Sequence, residues 1–358
     1  MFRTDFKRTI YLLHLWLGLC SGLVVFIVAL SGSIYSFSSE IKEMVYRDRL
    51  FVSNYQGKAV LPFDQLLETA QRRLGDKKIS RVEIHTDPDR TYMFRAFKGG
   101  KYFEKIYMDP YSGKIVSHEN AELEFFNIVL SLHRTLLLGD VVGHFIIQWS
   151  VIAFVILLLS GIVLWWPRHW KWKTVKKQLA VKWSAKKKRL NYDLHQVGGL
   201  YAFIILLIIA LTGLMWSFKF TTEKKAKVLS DTTQQISATH GQILSQVKAQ
   251  EKEVSYYLYN IPSAKSATVN VSAYLSPDLI HQRLQFRFDQ FTGKLLWQSE
   301  KFEKMPLKDQ LIALNYDLHT GSIAGFWGKL LVFLAGLVAA SLPITGFLMW
   351  RWRGKKKS

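Results

Sequence analysis

The chain has 358 residues, enough for two or three domains, and 49% of them are hydrophobic, gathered in four long runs rather than spread evenly. Its formal charge of +21 raises nucleic acid as a partner, but the cations collect in short segments flanking apolar runs, so no nucleic acid is expected. The single cysteine, Cys20, excludes an intrachain disulfide, a cysteine-type zinc site and an iron–sulfur cluster.

In chain order, Arg3, Lys7 and Arg8 precede the first apolar run, near Ile10–Phe37. A bilayer crossing takes roughly 20 apolar residues. This run is too long for a signal peptide and has no small-residue cleavage site, so it is expected to stay as a helix. Glu40–Leu50 reads as a helical extension, and residues 51–125 as a soluble module. That module has a proline-started helix at Pro62–Ala70 and strands at Ile79–Ile84 and Thr91–Phe97 around the turn Asp87-Pro88-Asp89. A hairpin of Tyr102–Met108 and Lys114–Ser117 turns at Asp109-Pro110-Tyr111-Ser112-Gly113.

Ala121–Leu138 reads as an amphipathic helix carrying His133, and the second span lies near His144–Trp166. From Pro167 to Leu190 ten Lys/Arg occur without an acid: Arg168, Lys171, Lys173, Lys176, Lys177, Lys182, Lys186, Lys187, Lys188 and Arg189. The third span is near His195–Phe218. A second soluble module follows, with a helix around Thr233–Gln250 and strands near Ser255–Tyr259, Ala267–Tyr274 and Leu284–Phe288. Leu307–Leu318 leads to the fourth span, near Gly328–Trp350, and to Arg351, Arg353 and Lys355–Lys357. Short basic segments stay cytoplasmic, so both termini and the middle loop are expected inside, with the soluble modules periplasmic. Lipid bilayer is therefore an expected partner.

The pattern occurs twice. Leu13-His14, Gly18, Ala29-Leu30-Ser31-Gly32 and Ser36-Phe37 match Leu194-His195, Gly199, Ala210-Leu211-Thr212-Gly213 and Ser217-Phe218 at one constant offset. His133, before a run ending Ser160-Gly161, corresponds to His319, before one ending Thr345-Gly346. The turn Asp109-Pro110-Tyr111-Ser112-Gly113-Lys114 corresponds to Asp289-Gln290-Phe291-Thr292-Gly293-Lys294. Internal repetition fixes architecture. The expected fold is an α-helical membrane protein: a four-transmembrane-helix bundle from a duplicated helix–module–helix unit, with two α+β modules. Its segments are 1–38 (tail and first span), 39–125 (first module), 126–166 (interfacial helix and second span), 167–190 (basic loop), 191–218 (third span), 219–318 (second module) and 319–358 (fourth span and tail).

The two Asp-x-x-[Ser/Thr]-Gly-Lys hairpins resemble PepSY modules, and the surrounding His-and-Gly helices resemble the PepSY-associated membrane helix family of bacterial inner-membrane proteins. The likeness covers essentially the whole chain and is closest at Leu13–Gly32, at His133–Gly161 with Trp165-Trp166-Pro167-Arg168, and at His195–Gly213; the second module is weaker. The resemblance implies iron uptake, ferric-siderophore reduction in the periplasm and b-type haem.

An ionisable group at a membrane helix usually has a partner or a purpose. Topology places His14 and His195 at the inner face and His133 and His319 at the outer. A pseudo-twofold arrangement sets each pair face to face, as two axial ligands of haem b iron, giving two haems. A lone histidine at a helix end is more often a cap or an interfacial residue; the duplicated placement is what shifts the balance. Gly18, Gly22, Gly198, Gly199, Gly321 and Gly325 leave room for a macrocycle, or for close helix approach. Arg134 suits a haem propionate or an anionic siderophore, with surface charge as its plain alternative. His144, matched by Lys329 in the other half, is a reserve outer ligand and His169 a reserve inner one. No G-x-G-x-x-G follows a strand, so the electron donor is expected to be a quinol or a separate cytoplasmic reductase. Two alternatives stand beside the reductase: a PepSY sensor or peptidase-regulating or siderophore-binding protein without redox activity, and a siderophore permease. Four helices with Pro343 as their sole proline break suit a permease poorly.

Overall fold

The computed structural model describes residues 2–167, 170–218, 228–264 and 266–353. Its helices and strands, in chain order, are α1 Phe2–Ser36, α2 Ser38–Val45, α3 Arg47–Leu50, α4 Phe63–Leu74, β1 Ile79–His85, β2 Tyr92–Lys98, β3 Tyr102–Met108 and β4 Ile115–Asn120. There follow α5 Phe125–Thr135, α6 Gly139–Trp165, α7 Trp172–Gln178, α8 Lys187–Ser217, α9 His240–Gln250, β5 Tyr256–Asn260, β6 Val269–Tyr274, β7 Arg283–Phe288, β8 Leu295–Gln298, α10 Leu307–Ala313, α11 Asn315–Thr320 and α12 Gly325–Arg353. They fall into two compact units. One comprises Met1–Ser38, Ile128–Phe220 and Leu318–Ser358; the other comprises Ser39–Asn127 and Thr221–Asp317.

The first unit is a four-helix bundle. Four stretches are long and apolar enough to cross a membrane: Asp5–Ser36, Gly139–Trp165, Lys187–Ser217 and Ser322–Arg353. α1 packs on α6 and α12, and α8 packs on the same two, so α1 and α8 stand diagonally across the bundle. Its centre is a layer of Leu158, Leu206 and small residues, Ala202, Ala335 and Ala339, which let the backbones approach. Large apolar side chains such as Leu23, Val141 and Ile204 point outward.

The second unit joins both soluble segments in one antiparallel sheet, ordered β4-β3-β2-β1-β5-β6-β7-β8. The two expected modules thus share a seam, β1 against β5, with Val82 opposite Tyr259. One sheet face alternates into a dry core. Val82, Phe94, Ile106, Tyr259, Val271 and Phe286 are fully buried there against Leu66 and Ala70 of α4 and Val247 of α9. α4 turns this face inward because Phe63, Leu66, Leu67, Ala70 and Leu74 recur at helical spacing. The two Asp-x-x-[Ser/Thr]-Gly turns share one local mechanism. Asp109 accepts the Tyr111 N–H and Asp289 the Phe291 and Thr292 N–H groups, and Gly113 and Gly293 take positive φ at the turn's end.

Several boundaries differ from the sequence expectation. Ala121–Leu138 is not one helix: Glu124 is extended after a short 3-10 turn, and Leu136 and Leu137 adopt left-handed φ of 53° and 60° between α5 and α6. The expected helix at Thr233–Gln250 begins only at His240, because Thr239 caps it by a reciprocal bond with Gln242. β8 pairs with β7 as a further strand.

Candidate functional site

The bundle brings the four candidate histidines together in two pairs. The rings of His14 on α1 and His195 on α8 lie 6.3 Å apart, centre to centre, at 82°. Those of His133 and His319 lie 6.2 Å apart at 61°. Along α1, the 18 residues from His14 to Gly32, against which His133 rests, span about 27 Å at the helical rise. The pairs therefore lie at opposite ends of the bundle.

Every one of these rings is held through Nδ1. His14 bonds the Ser160 hydroxyl at 2.8 Å and His195 the Thr345 hydroxyl at 2.8 Å. Both hydroxyls already donate to carbonyls of their own helix, Ser160 to Leu157 and Thr345 to Ser341 and Leu342, so toward the ring each can only accept. His133 donates to the Val28 carbonyl at 2.8 Å, and His319 to the Ile209 carbonyl at 3.0 Å with the Thr212 hydroxyl also at 3.0 Å. A carbonyl accepts only, so Nδ1 carries the proton at all four positions. Nε2 is left as an unprotonated lone-pair donor, the state that binds a metal. Burial pulls the pKa values of His133 and His319 down and keeps these rings neutral.

The anchors recur at matched places of the two halves: Ser160 corresponds to Thr345, each just before a cradle glycine, and Val28 to Ile209 at the offset of His14 and His195. Each [Ser/Thr]-Gly dipeptide forms one cradle. A Cβ at Gly32 would lie 2.8 Å from His133 Cε1; at Gly213, Gly161 and Gly346 it would lie 3.4, 3.6 and 3.5 Å from His319, His14 and His195. The glycines singled out from sequence act elsewhere. Gly18, Gly22, Gly198 and Gly199 face Leu157, Pro343, Val338 and Leu342 of neighbouring helices, so they serve helix approach. Gly321 and Gly325 sit at positive φ in the elbow before α12.

Among the described residues, the remaining candidates take no part in the hydrogen bonds that hold the pairs, though the Arg134 charge acts on the adjacent His133. Arg134 is exposed and makes no hydrogen bond or ion pair among the described residues. His144 is half-buried on α6 with no partner of that kind, and its counterpart Lys329 is buried. His169 and Arg168 lie outside the described residues. Of the soluble-segment histidines, His281 is buried: its Nδ1 is 2.7 Å from Asp317, which also accepts the Ile280 and His281 N–H groups. The same pentapeptide, Asn-Tyr-Asp-Leu-His, ends at both His195 and His319, and its Asn and Asp are buried in both copies. Asn191 donates to the Thr345 carbonyl, and Asp193 accepts from Arg189 and the Lys182 N–H. This exact repeat was the available signal for these positioning residues.

A family model for the PepSY-associated TM region matches residues 11–353, nearly the whole chain. The chain belongs to the PepSY-associated TM family. Comparison with curated proteins finds no match. As a PepSY-associated TM protein with four spans, the chain is a multi-pass membrane protein, and lipid bilayer is its environment.

The donor set fits an iron porphyrin. A metal–imidazole bond is about 2 Å and ring nitrogen to ring centre about 1 Å, so two axial imidazoles have centres about 6 Å apart. Both pairs match that spacing, and each Nε2 is left to its ligand by the Nδ1 anchor.

Proposed function

We propose that this PepSY-associated TM protein is a haem-b-containing reductase of the bacterial inner membrane, delivering electrons across the bilayer to a ferric siderophore in the periplasm. The single observation that carries this reading is the double pair of Nδ1-anchored histidines at opposite ends of one bundle. His14 with His195, and His133 with His319, would hold two haems. A haem held there would supply one-electron transfer. Ser160 and Thr345, and the carbonyls of Val28 and Ile209, orient the rings and keep their protons on Nδ1. Gly32, Gly161, Gly213 and Gly346 admit the rings between helices, and Arg134 supplies a cation for a propionate or the anionic substrate.

The overall reaction moves one electron onto ferric iron, which then leaves as ferrous iron because hard siderophore oxygens hold it more weakly. The electron comes from a quinol or a cytoplasmic reductase. The repeated sequence and anchors support a duplicated origin, and the basic loop at Arg168–Arg189 supports cytoplasmic termini with an extracytoplasmic β unit. The test is a reduced-minus-oxidised absorption spectrum of the purified chain with a haem count. Two b-type haems are expected, one being lost in His14→Ala and one in His319→Ala. A folded chain that stays colourless when haem is supplied refutes the reading.

A further inference from the structure

The sheet face turned away from α4 and α9 carries a row of cations in register. Arg81 on β1 is directly opposite Arg95 on β2, and Arg95 directly opposite Lys105 on β3. Like charges in direct cross-strand pairs repel. All three are half-buried, so water screens them less than it would surface charges. None of the three forms an ion pair within 4 Å among the described residues, although Glu119 stands directly opposite Lys105 and Glu83 attracts both Arg95 and Lys105. Arg81 Nε donates to the amide oxygen of Asn260, Arg95 Nε is buried without a hydrogen-bond partner, and Lys105 makes no ion pair among the described residues.

The carboxylates on this face attract the row from a distance, and their hydrogen bonds and ion pairs go to other groups. Glu119 is bound by Arg49, Glu124 by Lys42 and two backbone N–H groups, and Glu83 by His85. Burial, and after it the neighbouring Arg81, pulls the Arg95 pKa down to about 10. Phe97 and Phe103 flank the Arg95 guanidinium, and Phe103 also flanks Lys105, giving the row an aromatic floor.

We propose that Arg81, Arg95 and Lys105 form a binding site for a small, multiply charged oxygen anion, of the kind a ferric tris-catecholate presents. Three fixed cations match several negative oxygens at once, and the flanking rings suit a ligand with aromatic edges. The binding site stands on the sheet alone; only its use by the chelate that is reduced rests on the function proposed above.

The test is calorimetry on the full-length protein in phosphatidylcholine nanodiscs, with gallium(III) tris-catecholate as the probe. Gallium is not reduced, so binding is read without redox activity. Neutral gallium(III) tris-acetohydroxamate is the control. The trianion is expected to bind, to weaken with salt, and to weaken about tenfold in Arg95→Gln and further in Arg81→Gln/Arg95→Gln. The neutral complex is expected to be indifferent to both changes. The unliganded thermal midpoint of Arg95→Gln is expected to hold or rise, because a repulsive contact is removed; a structural arginine would lower it. Lys105→Gln is the second variant should either arginine change prevent folding. Absence of trianion binding to the wild-type chain overturns the proposal, as does unchanged binding in the double variant. So does a response seen only with phosphatidylglycerol in the disc, which would make the partner a lipid headgroup. Haem spectra of the same samples keep the two readings apart. A colourless chain that binds the trianion sinks only the reductase, and a haem-loaded chain that ignores it sinks only this site.

Discussion

Gly32→Ala tests the histidine cradle most sharply. The added methyl would lie 2.8 Å from Cε1 and 3.0 Å from Nδ1 of His133. Carbon atoms rest at about 3.5 Å or more, so the ring must retreat by roughly 0.7 Å. That retreat carries the ring away from α1 and stretches the 2.8 Å bond from Nδ1 to the Val28 carbonyl by up to the same amount, toward about 3.5 Å and out of good hydrogen-bond range. Losing a buried bond of this kind costs about 1–3 kcal/mol. Misplacing an anchored metal-binding histidine weakens the metal about 10- to 100-fold. The same substitution at Gly161 puts its methyl 3.6 Å from His14 Cε1, an ordinary contact. There the exchange of helical glycine for alanine contributes up to about 1 kcal/mol of stability. One mutation at two cradle glycines, each facing a paired histidine, is therefore expected to act with opposite sign. Haem per chain and the thermal midpoint in detergent are the readouts: Gly32→Ala falls from two haems toward one and melts earlier, while Gly161→Ala keeps both and melts no earlier. If Gly32→Ala keeps both haems and gains stability as Gly161→Ala does, the cradle argument is wrong.

Thr345→Ala removes the acceptor for His195 Nδ1, and if the proposed haem is bound, its affinity at the His14–His195 pair is expected to fall about 10- to 100-fold in haem-transfer titrations. Gly143→Ala forces a Cβ into the Thr135 carbonyl at the elbow between α5 and α6. A loss of about 2–4 kcal/mol is expected, read as an earlier thermal transition, and wild-type stability would show that the elbow yields freely. Phe94 is fully buried in the sheet core, so Phe94→Ala should cost the β unit about 3–5 kcal/mol. Amide hydrogen exchange on the full chain is expected to show that loss in β1–β3, while the bundle amides keep their protection.

Hydropathy runs, basic flanks and motifs that recur in two halves are local or periodic features, and they survive in a linear string. They were enough for four spans, the four Leu-His positions and the two Asp-x-x-[Ser/Thr]-Gly turns. The break at Leu136 and Leu137 escaped because an apolar run of leucines gives no warning of left-handed φ. The late start of α9 escaped because polar Thr233–Thr239 reads as helix until the Thr239–Gln242 cap is seen. Four of the glycines nearest the histidines in sequence face neighbouring helices, as the helix-approach alternative has it, and do not line the histidines. Those that matter lie on a neighbouring helix, at a sequence separation of 101 for Gly32 and His133. The identical Asn-Tyr-Asp-Leu-His segments were legible all along and mark buried positioning groups.

The amino-acid string by itself determined which segments are apolar enough for a bilayer, that a polar ring recurs at matched places, and which residues alternate along each strand. Those follow from hydrophobicity and backbone period, which act over a few residues. Tertiary structure alone decided that His14 meets His195, that hydroxyls and carbonyls on other helices fix the proton on Nδ1, and that two soluble segments close into one sheet with Arg81, Arg95 and Lys105 abreast. Such facts depend on distances between residues far apart in the chain, set by how helices pack and strands register.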